Sequence, residues 1–82
     1  MNAYVLVDTV GQLRRNIAAA SECIADGARV IDEQQNRIQR LRDCGEDTTK
    51  AERVLQYMES VQARYVATKA RLQSMLNGLI RH

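Results

Sequence analysis

Side chains able to do covalent or acid–base chemistry are few in this 82-residue chain: two cysteines, one histidine and two adjacent carboxylate pairs. Cys23 and Cys44 are 21 positions apart. On one straight helix that is about 31 Å at ~1.5 Å per residue, which rules out a disulfide between them. Neither has a histidine partner to draw off its proton, and no Cys/His cluster has zinc-site spacing. They read as two free thiols of a reducing compartment. His82 is the last residue, where nothing orients it as a general base. Asp32-Glu33 falls on a polar helical face and Glu46-Asp47 in a turn, so both pairs read as solvated charges. Gly11, Gly27, Gly45 and Gly78 are isolated, so there is no glycine-rich phosphate loop. The expectation is a chain that is not an enzyme and that needs no metal, cofactor or small-molecule ligand.

The elements that carry these residues are helices. The chain has no Pro, Trp or Phe, and its aromatics are Tyr4, Tyr57 and Tyr65. Without a helix breaker, long uninterrupted helices are allowed; without large aromatics, the core must be a thin aliphatic seam. From Val10 to Leu41 a heptad repeat holds: Val10, Ile17, Ile24, Ile31 and Ile38 at one position, Leu13, Ala20, Gly27, Gln34 and Leu41 at the other. Only Gly27 and Gln34 break its apolar character. A second series, Ala51, Val54, Met58, Val61, Tyr65, Thr68, Leu72, Met75 and Leu79, answers it, with Leu55 and Leu76 one step off the line.

Between the series lies Cys44-Gly45-Glu46-Asp47. Gly45 can take the left-handed conformation that ends a helix, Asp47 or Thr48 can cap the next, and Thr49 with Glu52 offers a capping box. Asp8, with Thr9 and Gln12, marks a helix start at the other end. The predicted organisation is an N-terminal arm over 1–8, extended in its apolar stretch Tyr4 to Val7, then a helical hairpin over 9–82: helix 9–43, turn 44–47, helix 48–80. The arm packs either on its own hairpin or on a neighbour. Folding about the turn with Leu41 opposite Ala51 sets Ile38 against Val54, Gln34 against Met58, Ile31 against Val61, Gly27 against Tyr65, Ile24 against Thr68, Ala20 against Leu72 and Ile17 against Met75. Large then faces small at Tyr65–Gly27 and Leu72–Ala20, as close packing demands. Gln34 is then a polar register pin.

The turn string Gly45-Glu46-Asp47-Thr48-Thr49-Lys50-Ala51-Glu52, followed by Leu55, Glu59 and Gln62, resembles small two-helix proteins of rhizobia and related alphaproteobacteria, which carry a G-x-D-T-x-x-A-E turn. The resemblance covers roughly residues 30–65 and implies a helical hairpin, with no function attached. Secreted Trp-x-Gly hairpins need a Trp that is missing here. Secretion-needle subunits turn at a Pro. The sporulation-type aspartyl-phosphate phosphatases carry a Ser-Gln-Glu-Leu-Asp motif that this chain lacks.

At 82 residues one core supplies only about 3–5 kcal/mol without a staple or a partner. Small residues crowd mid-helix 1, and Val30 and Leu55 flank the seam. The expectation is an all-α antiparallel coiled-coil hairpin that dimerises into a four-helix bundle, with Cys23, Val30 and Leu55 near the dimer axis if the copies pack antiparallel. The formal charge is +2. The end away from the turn (1–22 and 60–82) has six basic and two acidic side chains, a net of +4; the remainder has six and eight, a net of −2. Arg14, Arg15, Arg64 and Arg71 at the basic end are the candidates for a polyanion contact, without interleaved aromatics for base stacking. No apolar run approaches the ~20 residues of a membrane span, and no signal peptide is legible, so a cytoplasmic location is expected. Three functional readings stay open: a self-associating interaction module, an RNA-binding bundle resembling plasmid-copy-number hairpin dimers, and a small inhibitor or adaptor of a protein partner.

Overall fold

The computed structural model describes residues 2–81 and is an all-α hairpin of two helices, α1 (Ala3–Asp43) and α2 (Thr49–Ile80). His82 lies outside the described residues. The rod measures 64 × 16 × 14 Å. Its radius of gyration is 18.6 Å, against about 12 Å for a compact domain of this length.

α1 starts earlier than the capping signals predict. Thr9 does not cap: its hydroxyl donates to the Val5 carbonyl at 2.8 Å, one turn back inside the helix. The cap is Asn2, whose side chain accepts from the Val5 N–H at 2.9 Å. The expected extended arm is therefore two further turns of α1. Leu6 continues the spacing of Val10 and Leu13 and is half-buried, whereas Tyr4, Val5 and Val7 stay exposed. With no helix breaker between Asn2 and Gln12, the β preference of Tyr4 to Val7 gives way to a helix already closed at both ends of the stretch. α1 has 41 residues and α2 has 32. The nine extra residues carry α1 about 13 Å beyond the end of α2.

The turn forms as its residues require. Gly45 has φ of 72°. Its N–H donates to the Arg42 carbonyl at 3.0 Å and the Glu46 N–H to the Leu41 carbonyl at 2.9 Å, the paired closure of a Schellman motif. Asp47 Oδ1 accepts from the Thr49 hydroxyl at 2.6 Å and the Thr49 N–H at 3.0 Å. The Thr49–Glu52 capping box is replaced: Glu52 accepts from Arg42 at 3.1 Å and ties the two helices together beside the turn.

The seam is thin. Among the described residues Leu13, Ala20 and Ile38 are the buried ones, all on α1, and Ile17, Ile24, Ile31 and Leu41 are half-buried. On α2 the inward line differs from the expected one. Ala51, Met58, Val61, Thr68, Leu72 and Leu79 are half-buried as expected, and Leu55, Gln62, Lys69 and Leu76, each one residue after an expected position, join them. Val54, Tyr65 and Met75 turn outward, at 46%, 39% and 52% exposure. Both lines keep heptad spacing; they differ in whether three or four residues separate the shared positions. The line chosen brings two leucines to the seam in place of a valine and a methionine. Leu55, expected beside a dimer axis, belongs to the hairpin's own interior.

The pH response of the turn follows from Asp47. Donation by the Thr49 hydroxyl, and then by its N–H, holds this carboxyl below its ordinary value of 3.8. A lowered folded value stabilises above the ordinary one and is lost as pH falls through the folded one. Asp47→Ala should lower the melting temperature at neutral pH, and its gap to the unmutated chain should shrink as pH drops below 3.8. A gap that persists unchanged into strong acid would contradict the cap. Gly45→Ala should cost about 1–2 kcal/mol, the left-handed penalty of an L side chain.

Candidate interaction surface

One flank of the rod carries an open groove of about 150 Å³. Its α1 wall is Cys23, Gly27 and Val30; its α2 wall is Tyr57, Met58, Val61 and Tyr65, with Gln62 at the floor. The α2 wall exists because the seam took the later line. Val54, Tyr57, Val61 and Tyr65 then fall at steps of three and four on the adjacent face. Tyr57 is 67% exposed and Val30 is 37%. Cys23 is half-buried.

The floor of the groove is set by Gln62 and Gly27. The Gln62 amide crosses to α1, where Nε2–H donates to the Ile24 carbonyl at 2.7 Å. A Cβ at position 27 would overlap Gln62 Oε1 and stand 2.9 Å from its Cδ. Gly27 is thus the socket for Gln62, where Tyr65 was expected, and Tyr65 stands beside it on the groove wall. Oε1 itself is buried without a hydrogen-bond donor; the Gly27 Cα–H lies on that side, a weak donor of the kind found where helices approach closely. Gln34 makes the converse crossing. Expected opposite Met58, its Nε2–H instead donates to the Ala51 carbonyl at 2.9 Å, two turns nearer the loop. A glutamine from each helix therefore braces a backbone carbonyl of the other.

The sequence-predicted residues are distributed as follows. Ile17, Ile24, Ile31, Ile38, Met58 and Leu72 lie in the seam, with Gly27 and Gln34 as its polar-braced gaps. Val61 is half-buried at the seam's edge and lines the groove with Tyr65, while Val54 lies on the same flank nearer the turn, beside Gln34 and Ala51. Cys23 and Val30 share that face, while Leu55 does not. Arg14 lines a groove with Ile17, Gln73, Leu76 and Asn77 on the opposite flank. Arg15 donates to Gln12 at 3.1 Å. Arg64 and Arg71 follow Tyr57 at heptad spacing along the groove edge. The four arginines are not brought to one face. Sequence reasoning missed Tyr57 and Gln62. The signal for Gln62 was available: its long amide sits on the leucine line of Leu55 and Leu76, at the height of the small residues of α1.

Among the described residues no three His, Cys, Asp or Glu side chains are grouped to hold a metal ion, and none of the described helices is long and apolar enough to cross a membrane.

The Gly27 socket has a measurable signature. Nothing stands near a Cβ at Gly78, so Gly78→Ala should gain about 0.5–1 kcal/mol from helix propensity. Gly27→Ala should lose that gain, because the displaced Gln62 amide gives up a hydrogen bond worth about 1 kcal/mol. In a Gln62→Ala background Gly27→Ala should be stabilising again. Additive effects in this cycle, read by chemical denaturation, would contradict the socket.

Comparison with known proteins gives no match: no family model, no curated protein and no solved structure corresponds to the chain.

Proposed function

We propose that the hairpin is a non-enzymatic self-association module, and that a second copy covers the groove face to complete a four-helix bundle. The observation that carries this reading is the uncovered apolar flank: Val30, Val54, Tyr57, Tyr65 and Met75 are each more than a third exposed, while three residues in the described chain are buried. A compact monomer of 9.3 kDa exposes about 5000 Å². The hairpin exposes 6280 Å². The excess exceeds the ~800 Å² that each partner contributes to a standard interface. Tyrosine anchors bordered by arginine are also the composition of such interfaces.

Nucleic acid fits this surface less well, because the arginines are divided between two flanks and the groove between them is apolar. A foreign helical partner would use the same groove as a second copy, and the state of the isolated chain separates the two.

For a self-associating chain the melting temperature should rise by roughly 4 °C for each tenfold increase in concentration. Tyr57→Asp should abolish that dependence while the single hairpin keeps its helical circular dichroism at low temperature. A melting temperature independent of concentration over a hundredfold range would sink the reading.

A further inference from the structure

We infer that the two copies associate with their turns at the same end, α2 of each lying across α1 of the other. This rests on the self-association reading and adds its orientation. A two-fold lying in the contact face has two choices. Along the rod, it stacks α2 on α1; across the rod, it stacks α1 on α1 and α2 on α2. Every helix has antiparallel neighbours either way, so helix dipoles do not decide.

Packing does decide. The groove face has one small wall and one bulky wall. Cys23, Gly27 and Val30 line it from α1, and Tyr57, Val61 and Tyr65 from α2. The helices run antiparallel, so Cys23 stands level with Tyr65, Gly27 with Val61 and Val30 with Tyr57. A two-fold along the rod lays Tyr65, Val61 and Tyr57 of one copy over Cys23, Gly27 and Val30 of the other, in register and on both sides. The 150 Å³ hollow then receives a bulky side chain. A two-fold across the rod sets the tyrosine wall on itself and the glycine wall on itself, which leaves one contact overfilled and the other void.

The rims agree. Asp26 follows Cys23 by three residues and precedes Val30 by four; Arg64 follows Val61 by three. Both are exposed, and neither takes part in the two ion pairs of the described hairpin. The arrangement along the rod puts Asp26 of each copy beside Arg64 of the other, whereas the arrangement across it puts like rim on like rim. The net charges of the rod ends, +4 and −2, pull the other way. The arrangement along the rod sets like ends side by side at interhelix distance, where salt weakens the repulsion between exposed, dispersed charges without removing it, and the orientation rests on the packing of the walls. Cys23 consequently faces Tyr65 of the second copy, away from the other Cys23.

The native Cys44 at the turn reads this orientation. With Cys23→Ser and a nitroxide label on Cys44, pulsed dipolar spectroscopy should give a separation of about 20–30 Å, set by interhelix spacings of 8–10 Å and the label arms. A separation of about 50 Å or more, the distance set by the 17 residues from Gly27 to Cys44 on either side of a crosswise axis at the groove, at dimer mass, would overturn the orientation and leave self-association standing. No dipolar signal together with single-chain mass would overturn both. As a second reading, Asp26→Arg should weaken association roughly threefold to tenfold, and Asp26→Arg combined with Arg64→Asp should restore it. Absence of restoration would count against the facing rims.

Discussion

The Gln62 amide reaches α1 and donates to the Ile24 carbonyl because Gly27 has no side chain in its path. With Gln34 bonded to the Ala51 carbonyl and Arg42 paired with Glu52, this contact fixes which residues of the two helices are level. A seam with three buried side chains has little shape specificity of its own. Heptad lines separated by one residue are close alternatives, and a directional bond to a fixed carbonyl discriminates between them better than apolar burial does. Once Gln62 is seated, Leu55, Lys69 and Leu76 turn toward the seam, Val61 stays half-buried at its edge, and Val54, Tyr65 and Met75 turn toward the flank.

The surface of the protein follows from that choice. The rotation that brings two leucines to the seam also lines up the tyrosines on one wall of a groove whose other wall is Cys23, Gly27 and Val30. Gly27 thus serves two contacts: it admits the Gln62 amide from the seam side and leaves the groove hollow on the flank. The same glycine that lets the hairpin close leaves its outer face open. The first turns of α1, with Tyr4 and Val7 exposed beyond the end of α2, add apolar surface that the hairpin does not cover.

Much of this architecture was legible in the sequence, and for physical reasons. The heptad from Val10 to Leu41, the lack of proline and the Gly45–Asp47 stop-and-start signals carry strong local preferences, and the turn obeys them closely. The start of α1 was harder to read, because Asn2 and Thr9 are both competent caps and the winner depends on whether Leu6 can join the seam. The α2 line was harder still. Val54 and Leu55 are both apolar, as are Met75 and Leu76, so periodicity alone is degenerate there. The deciding residue was polar, and a polar residue is discounted when apolar spacing is counted. Pairing Tyr65 with Gly27 was sound in volume but mistaken in partner, since an amide that can hydrogen-bond a carbonyl fills the same space.

The hairpin leaves Val30, Val54, Tyr57, Tyr65 and Met75 uncovered, and the self-association proposed for that flank is open to direct measurement. The most direct measurement is sedimentation equilibrium on the full chain at physiological salt. A mass of twice 9.3 kDa, falling to the single-chain value on dilution or on substitution of Tyr57 by Asp, is the predicted result. A single-chain mass at every concentration, with a cooperative melt, would contradict it.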